Sequence, residues 1–349
     1  MQISTFDYLL LFVAAFAAVG VLTPLARRIA IKNEVFDAPN TAHKTHKEPV
    51  PYLGGVAIIV GIGLVSLAAF LFKNPTSQNF WLETSVLGPA LILGFIGLWD
   101  DLKNLSPLPR FIAQTLAGLF TSFVLIQANT VGTPTSSKLL DAIITSAWIV
   151  GICNSINFFD NVDGGAAGTV AVSSTALAIL AYNGDQYLIT ALATVTSGAM
   201  IGFLLWNKSP ARIYMGDAGA LFLGVLIATL TIRLHPRAET KWTSFATPIL
   251  LLAVPILDTS VAVISRLRRQ VSPFQGGRDH LSHRLVRAGL SRPVAAVALW
   301  LLSAFYAGCA IMIPLTHLKV EEGIVIVAGI SWITLFLYCL LYTSDAADE

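Results

Sequence analysis

The chain has 349 residues, 55% of them hydrophobic and only 12% charged, with a mean hydropathy of +0.72. Soluble domains carry roughly 25% charged residues, so a water-soluble globule is excluded and the chain belongs in a bilayer. The net charge of +2 says little by itself, no nucleic-acid partner is expected, and Cys153, Cys309 and Cys339, all in apolar segments, suggest neither a disulfide framework nor a cysteine zinc site.

Crossing the hydrocarbon core takes about 20 mostly apolar residues. Such stretches predict eleven helical spans, near 6–29, 53–72, 85–99, 110–128, 139–157, 165–182, 187–206, 218–234, 244–265, 293–315 and 322–341. The first run is long and ends in "ARRIA" with no small-residue cleavage site, so no cleavable leader is expected. Alternating the loops puts 16 of the 22 Lys and Arg residues on one side. Cytoplasmic loops carry the basic excess, so that side is expected to be cytoplasmic, with the N-terminus outside. The expected fold is therefore all-α and polytopic: one membrane domain over 1–342, then a small acidic tail at 343–349 that reads as solvated or non-native.

Five polar clusters crowd the basic side. In 39–55, "PNTAHKTHKEPVPYLGG", His43, Lys44, His46 and Lys47 are compact donors and Gly54-Gly55 admits close backbone approach, which suits phosphate; a plain positive-inside loop is the alternative. Asp100 and Asp101 end the third span, where the helix dipole and their mutual repulsion both oppose them. A divalent cation relieves both problems, because Mg²⁺ takes one or two carboxylates plus substrate phosphates. In "NSINFFDNVDGG", Asn154, Asn157, Asp160 and Asp163 recur at three-residue steps, lining one side of the helix if it continues and a polar turn if it stops.

The fourth cluster, "WNKSPARIYMGDAGALFLG", sets Asp217 just before an apolar helix, as N-cap or metal ligand, with Tyr214 offering a stacking face and Asn207 an amide for a base edge. The fifth, 266–292, holds seven arginines with His280 and His283 three apart. Headgroup binding is the plain reading, and a diphosphate held through Arg284 and the histidines fits better than zinc. Asp258 is the one acid well inside an apolar span, expected to pair with Arg266 or a neighbouring helix.

A transporter would place charges at mid-membrane and carry internal repeats. Here no repeat is found and the charges share one face, which suits an enzyme joining a soluble phosphate donor to a lipid acceptor.

In order, "PVPYLGG", "WDDLKN", "NFFDNVDGGAAG", "YMGDAGALFLG" and "GRDHLSHRL" resemble the polyprenyl-phosphate N-acetylhexosamine-1-phosphate transferase family over about residues 35–290. That family includes the phospho-N-acetylmuramoyl-pentapeptide transferase and the N-acetylglucosamine-1-phosphate transferases that start wall and surface polysaccharides. The resemblance implies a Mg²⁺-dependent transfer (Mn²⁺ substituting) of a sugar 1-phosphate from a UDP-N-acetyl sugar to undecaprenyl or another polyprenyl phosphate. UMP is released at the cytoplasmic face of a bacterial inner membrane, among membrane lipids, and a homodimer is compatible with it. By resemblance, Asp100 activates the lipid phosphate beside Asp101, and Asp217 with Asp160 binds metal. Asn154, Asn157 and Asp163 join the polar set, Asn207 and Tyr214 lie by the nucleotide, and Lys44, His280, His283 and Arg284 lie by the diphosphate and sugar. Departures bear on specificity: Asn161 and Gly165 stand where the family commonly has the Gly after the first aspartate and the Leu of its Asp-Gly-x-Asp-Gly-Leu loop, while relatives often carry His at the position of Ser282 and Ser or Thr at that of Ala220. The last loop lacks the three consecutive histidines of the muropeptide branch, so the chain is more similar to the N-acetylglucosamine branch, the muropeptide transferase being the alternative.

Overall fold

The computed structural model describes residues 4–37, 49–72, 77–103, 105–273 and 277–342. Lys44, the other basic residues of its loop and the tail at 343–349 lie outside the described residues. The first eight helices are α1 (Thr5–Lys32), α2 (Gly54–Phe72), α3 (Ser77–Lys103), α4 (Pro107–Gln127), α5 (Lys138–Phe159), α6 (Gly165–Asn183), α7 (Tyr187–Asn207) and α8 (Gly216–Arg233). Then follow α9 (Lys241–Leu251), α10 (Ala253–Arg268), a short α11 (Leu281–Arg287), α12 (Arg292–Met312) and α13 (Leu318–Tyr342).

Local chemistry marks the ends. Ser4 caps α1 in a reciprocal box with Asp7, Pro107 opens α4, and Thr240 with Thr243 caps α9. The third span is longer than its apolar core suggested, because α3 carries the Asp100–Asp101 pair within its last turn rather than beyond it. Among the described residues ten helices are long and apolar enough to cross a membrane, and the α9–α10 pair makes an eleventh span when counted as one.

That ninth span is not the straight helix the hydropathy predicts. Its halves meet at 75° around Leu252. Pro255 supplies the reason, since it has no N–H to give the carbonyl four residues back. The freed Leu251 carbonyl instead accepts the Ser173 hydroxyl of α6 at 2.7 Å, and Trp332 Nε1 of α13 donates to the Ala253 carbonyl at 3.0 Å. A bent backbone at membrane depth is tolerated when protein groups re-satisfy it in this way.

At the centre stands α8, buried on every side from Ala218 to Arg233. Around it pack α2, α3 and α5, while α13 lies at the rim with most of its apolar surface outward. Glycines set the closest approaches. A Cβ on Gly97 would sit 2.3 Å from the Asp217 carbonyl, and one on Gly55 would sit 2.2 Å from Gly219 N. These contacts press the start of α8 against α3 and α2.

A two-residue antiparallel ribbon, β1 (Phe36–Asp37) with β2 (Val50–Pro51), leads into α2. The loop before α8 is sewn to it: Tyr214 N donates to Pro51 O at 2.9 Å, and Gly54 N and Gly55 N donate to Tyr214 O and Met215 O at 3.0 and 2.8 Å. The ends of α3, α5 and α7 and the starts of α2, α4, α6 and α8 thus meet on one face of the bundle.

Candidate active site

Where α3 ends, α4 and α8 begin, and the two helix termini bring Asp100, Arg110 and Asp217 together. Arg110 Nη1 reaches Asp100 Oδ2 at 2.5 Å and Asp217 Oδ2 at 2.6 Å, a single cation shared by two carboxylates. Asn157 Nδ2, from the last turn of α5, donates to Asp217 Oδ1 at 2.7 Å, and Leu105 N donates to Asp100 Oδ1 at 2.5 Å. Asp100 is buried, whereas Asp217 and Arg110 stay partly open. Arg110 went unassigned in the sequence reading. Its signal was the one cation of the apolar helix α4, in the first turn of the helix that follows the aspartate pair.

Asp101 does something else. Its two oxygens accept Asp217 N at 2.8 Å and Ala218 N at 3.0 Å, so it caps α8, and the Tyr52 hydroxyl donates to its carbonyl at 2.6 Å. A carboxylate at a helix N-terminus is favoured by the dipole and by the free N–H groups. Asp101, expected beside the catalytic carboxylate, uses both its oxygens to hold the first turn of α8, and with it Asp217, in place.

The 160–164 loop forms the next wall. α5 runs on through Phe159, so Asn154 and Asn157 share a helical face, and Asp160 is its C-cap. Among the described residues the Asp160 side chain has no hydrogen-bond partner. Burial, then the charges of Asp217 and Asp163, push its pKa up to about 7. Asp163 accepts Ala211 N at 3.0 Å and the Tyr214 hydroxyl at 3.3 Å, tying this loop to the one before α8. Gly164 adopts φ +72°, a conformation only glycine takes cheaply. The base-reading role expected for Asn207 is not what the structure offers. Its amide is buried, accepting from Gly164 N at 3.1 Å and donating to Ile213 O at 2.9 Å, which makes it a staple between loops.

Asn154 Nδ2 donates to Gln114 Oε1 at 2.6 Å, and the two line a small polar pocket of about 50 Å³ with Arg110 and Asn157. From there an apolar groove of about 470 Å³ descends between α5 and α10, along Phe158, Ile152, Gly151 and Trp148 on one side and Ile256 and Val263 on the other. Asn154 and Phe158 line both spaces, so the groove and the polar pocket flank the same end of α5.

The basic loop is engaged inside the protein. His280 Nδ1 lies 2.7 Å from Asp258 Oδ2 and its Nε2 lies 3.1 Å from Arg266 Nη2, an arrangement that puts the proton on Nδ1 and the lone pair toward arginine. Arg266 also donates to Asp279 at 3.1 Å and lies over the Phe158 ring at 5.7 Å. Asp258 thus pairs with His280 rather than directly with Arg266, and its second oxygen accepts Leu281 N at 2.6 Å.

Arg284, expected at the diphosphate, is buried and spends its donors on Cys339 O at 2.5 Å, Asp279 O at 2.8 Å and Ser265 Oγ at 3.2 Å. It anchors α11 to α10 and α13, and burial lowers its pKa. His283 is half-buried beside His280, and burial, then the neighbouring His280, push its pKa down to about 4, so it is neutral near pH 7.

Asp100, Asn157 and Asp217 are thus joined through Arg110 and a direct hydrogen bond, with Asp160 and Asp163 in the adjoining loop and Asn154 beside them on α5. Asp101, Asn207, His280 and Arg284 hold the surrounding elements in place. No group of three or more metal-ligating His, Cys, Asp or Glu side chains is closed among the described residues. A hard cation that keeps waters and substrate phosphates needs no such cage.

A family model described as glycosyl transferase family 4 matches residues 83–235, the stretch that carries Asp100, Arg110, Asn157 and Asp217. The chain is 31% identical over 320 residues to the decaprenyl-phosphate N-acetylglucosaminephosphotransferase of Mycobacterium tuberculosis, covering 82% of this chain and 78% of that one. It is 29% identical over 335 residues to the probable undecaprenyl-phosphate N-acetylglucosaminyl 1-phosphate transferase of Bacillus subtilis, covering 95% and 88%. The phospho-N-acetylmuramoyl-pentapeptide-transferase of Streptococcus uberis is 29% identical over 281 residues, covering 74% and 81%.

Proposed function

Since the chain belongs to glycosyl transferase family 4, we propose that it moves an N-acetylhexosamine 1-phosphate, such as N-acetylglucosamine 1-phosphate, from a UDP-sugar to undecaprenyl or another polyprenyl phosphate. The observation that carries this reading is the Arg110-bridged pair of Asp100 and Asp217 beside the apolar groove between α5 and α10. A long hydrocarbon chain fits the groove, and its phosphate then reaches Asn154, Asn157 and Arg110 in the polar pocket. An oxygen of that phosphate attacks the β-phosphorus of the UDP-sugar. The new P–O bond forms as the bond from β-phosphorus to the bridging oxygen breaks, and UMP leaves with that oxygen.

A phosphate monoester is already anionic near neutrality, so direct attack needs no covalent intermediate on Asp100. Such a transfer depends on positioning and charge neutralisation more than on covalent help. Asp163 and Tyr214 stand on the nucleotide side of the proposed site.

The donor set suits Mg²⁺, with Mn²⁺ as a substitute: oxygen ligands only, and a cation already between Asp100 and Asp217 in the form of Arg110. Asp217, Asp100 and Asp160 are the residues that would hold it, and when bound it would neutralise and orient the donor diphosphate. The basic excess of the same loops supports a cytoplasmic site in a bacterial inner membrane, with the N-terminus outside.

The test is UMP release by the purified protein in detergent, with undecaprenyl phosphate, Mg²⁺ and a panel of UDP-sugars. Turnover with UDP-N-acetylglucosamine faster than with UDP-MurNAc-pentapeptide is expected. No UMP from any donor, with Mg²⁺ or Mn²⁺, would overturn the proposal.

A further inference from the structure

Tryptophans near the end of a span ordinarily sit at the headgroups, but Trp300 of α12 is half-buried against α6. Its Nε1 donates to the Gly164 carbonyl at 3.1 Å, across 136 residues of sequence. The ring has a fitted seat there. A Cβ on Gly168 would lie 2.1 Å from Trp300 Nε1 and 2.2 Å from its Cε2, so the indole rests on bare helix backbone. A rigid ring packed this closely cannot give way to a methyl without moving as a whole.

Gly164 is the residue this seat controls. It stands at the N-cap of α6 with φ +72°, and having no side chain it cannot cap the helix itself. Instead its N–H donates to Asn207 Oδ1 at 3.1 Å, and its carbonyl accepts Gly168 N at 2.9 Å as well as Trp300 Nε1. Asn207 and Trp300 thus hold the two polar groups of one residue from different helices, α7 and α12. Gly164 directly follows Asp163, whose carboxylate accepts Ala211 N and the Tyr214 hydroxyl, and it closes the loop that carries Asp160. Without the indole N–H, that loop is pinned from the α7 side alone.

We infer that Trp300 is a positioning residue for the transfer: through the Gly164 carbonyl it fixes the Asp160–Asp163 loop against the loop before α8, on the side proposed for the UDP-sugar. It acts through backbone and touches no reacting atom. Trp300 lies outside the stretch 83–235 that the family model matches. The inference rests on the transfer reaction proposed above.

The test compares wild type, Trp300→Phe, Gly168→Ala and the double variant. Trp300→Phe keeps an aromatic ring and removes the N–H, whereas Gly168→Ala keeps the N–H and pushes the indole off its seat. Each single change is expected to lower kcat/KM for the UDP-sugar about tenfold, the scale of one lost hydrogen bond. The loss should appear as a higher donor KM, with the KM for undecaprenyl phosphate unchanged. A phenyl ring frees the space beside Gly168, so the double variant should fall within about twofold of the weaker single variant. Hydrogen exchange in detergent reads the loop without turnover: amides of 160–168 should exchange at least about fivefold faster in Trp300→Phe, with those of α3 unchanged. If the added methyl prevents folding, Trp300→Phe still decides, because both KM values and the exchange are read on it alone. Unchanged exchange at 160–168, equal rises in both KM values, or losses that multiply in the double variant overturn the inference alone. A wild type that releases no UMP from any donor overturns the transfer reading, and the positioning role with it.

Discussion

Arg110 holds two carboxylates, one buried and one partly open, with a single cation, and that defines the chemistry available at the site. Asp100 and Asp217 share one cation, so removing either carboxylate leaves Arg110 with a single partner. Asp217→Asn and Asp100→Asn are expected to lower transfer at least about a hundredfold, the scale on which removing one preorganised electrostatic partner acts. Both proteins should keep their elution profile and thermal midpoint in detergent, and near-full turnover by either would move the chemistry elsewhere. At this scale the sequence was legible where side-chain type alone carried the argument: adjacent aspartates, a stepped Asn/Asp series and an aspartate among glycines all converge. It was not legible which member of a pair is spent on structure. Asp101 and Asp100 are chemically identical, and only the arrival of the α8 N–H groups from 116 residues away makes one a cap and leaves the other at the site. The partners of Arg284 and Asn207 were hidden for the same reason, because most are backbone carbonyls and amides that no motif displays.

At the scale of elements, the site exists because α3 and α8 approach within contact distance of their backbones. Gly97 makes this approach feasible, and Gly97→Ala would drive a methyl into the Asp217 carbonyl. The cost expected for such overpacking is about 1–3 kcal/mol, read as a lower thermal midpoint together with reduced transfer. Gly88→Ala on the same helix, whose nearest neighbour is a side-chain carbon of Thr84 at 4.0 Å, should be neutral or slightly stabilising. If the two variants behave alike, the contact is not what sets the position of Asp217. Helix existence and order were readable from hydropathy, since each span must satisfy its own backbone in lipid. The bend at Leu252 was not, because a proline near a span's middle is also compatible with a straight or gently kinked helix. The deciding partner, Ser173, sits 78 residues earlier.

Taken whole, the bundle is asymmetric across the membrane and around its circumference. Every predicted site residue described lies at the same end, an outcome the distribution of charge along the sequence already implied. The groove between α5 and α10 was invisible beforehand, because its lining residues are ordinary apolar ones. Gly151 lines it with open space beside it. Gly151→Phe is expected to raise the KM for undecaprenyl phosphate about tenfold while leaving the KM for the UDP-sugar unchanged, roughly the 1.4 kcal/mol that a displaced segment of lipid chain represents. Steady-state kinetics with long- and short-chain acceptors checks this, and equal effects on both would argue that the chain lies elsewhere.

The hydroxyl of Ser173 on the Leu251 carbonyl has a kinetic meaning beyond the bend it stabilises. Because the freed carbonyl is answered from inside the protein, the elbow needs neither water nor lipid to hold its angle. The slot beside α10 is then open before any acceptor arrives. If the groove holds the acceptor as proposed, a polyprenyl chain would enter sideways from the surrounding leaflet, and capture would be a search in two dimensions. Its rate follows the surface density of the carrier in the membrane rather than any concentration in the aqueous phase.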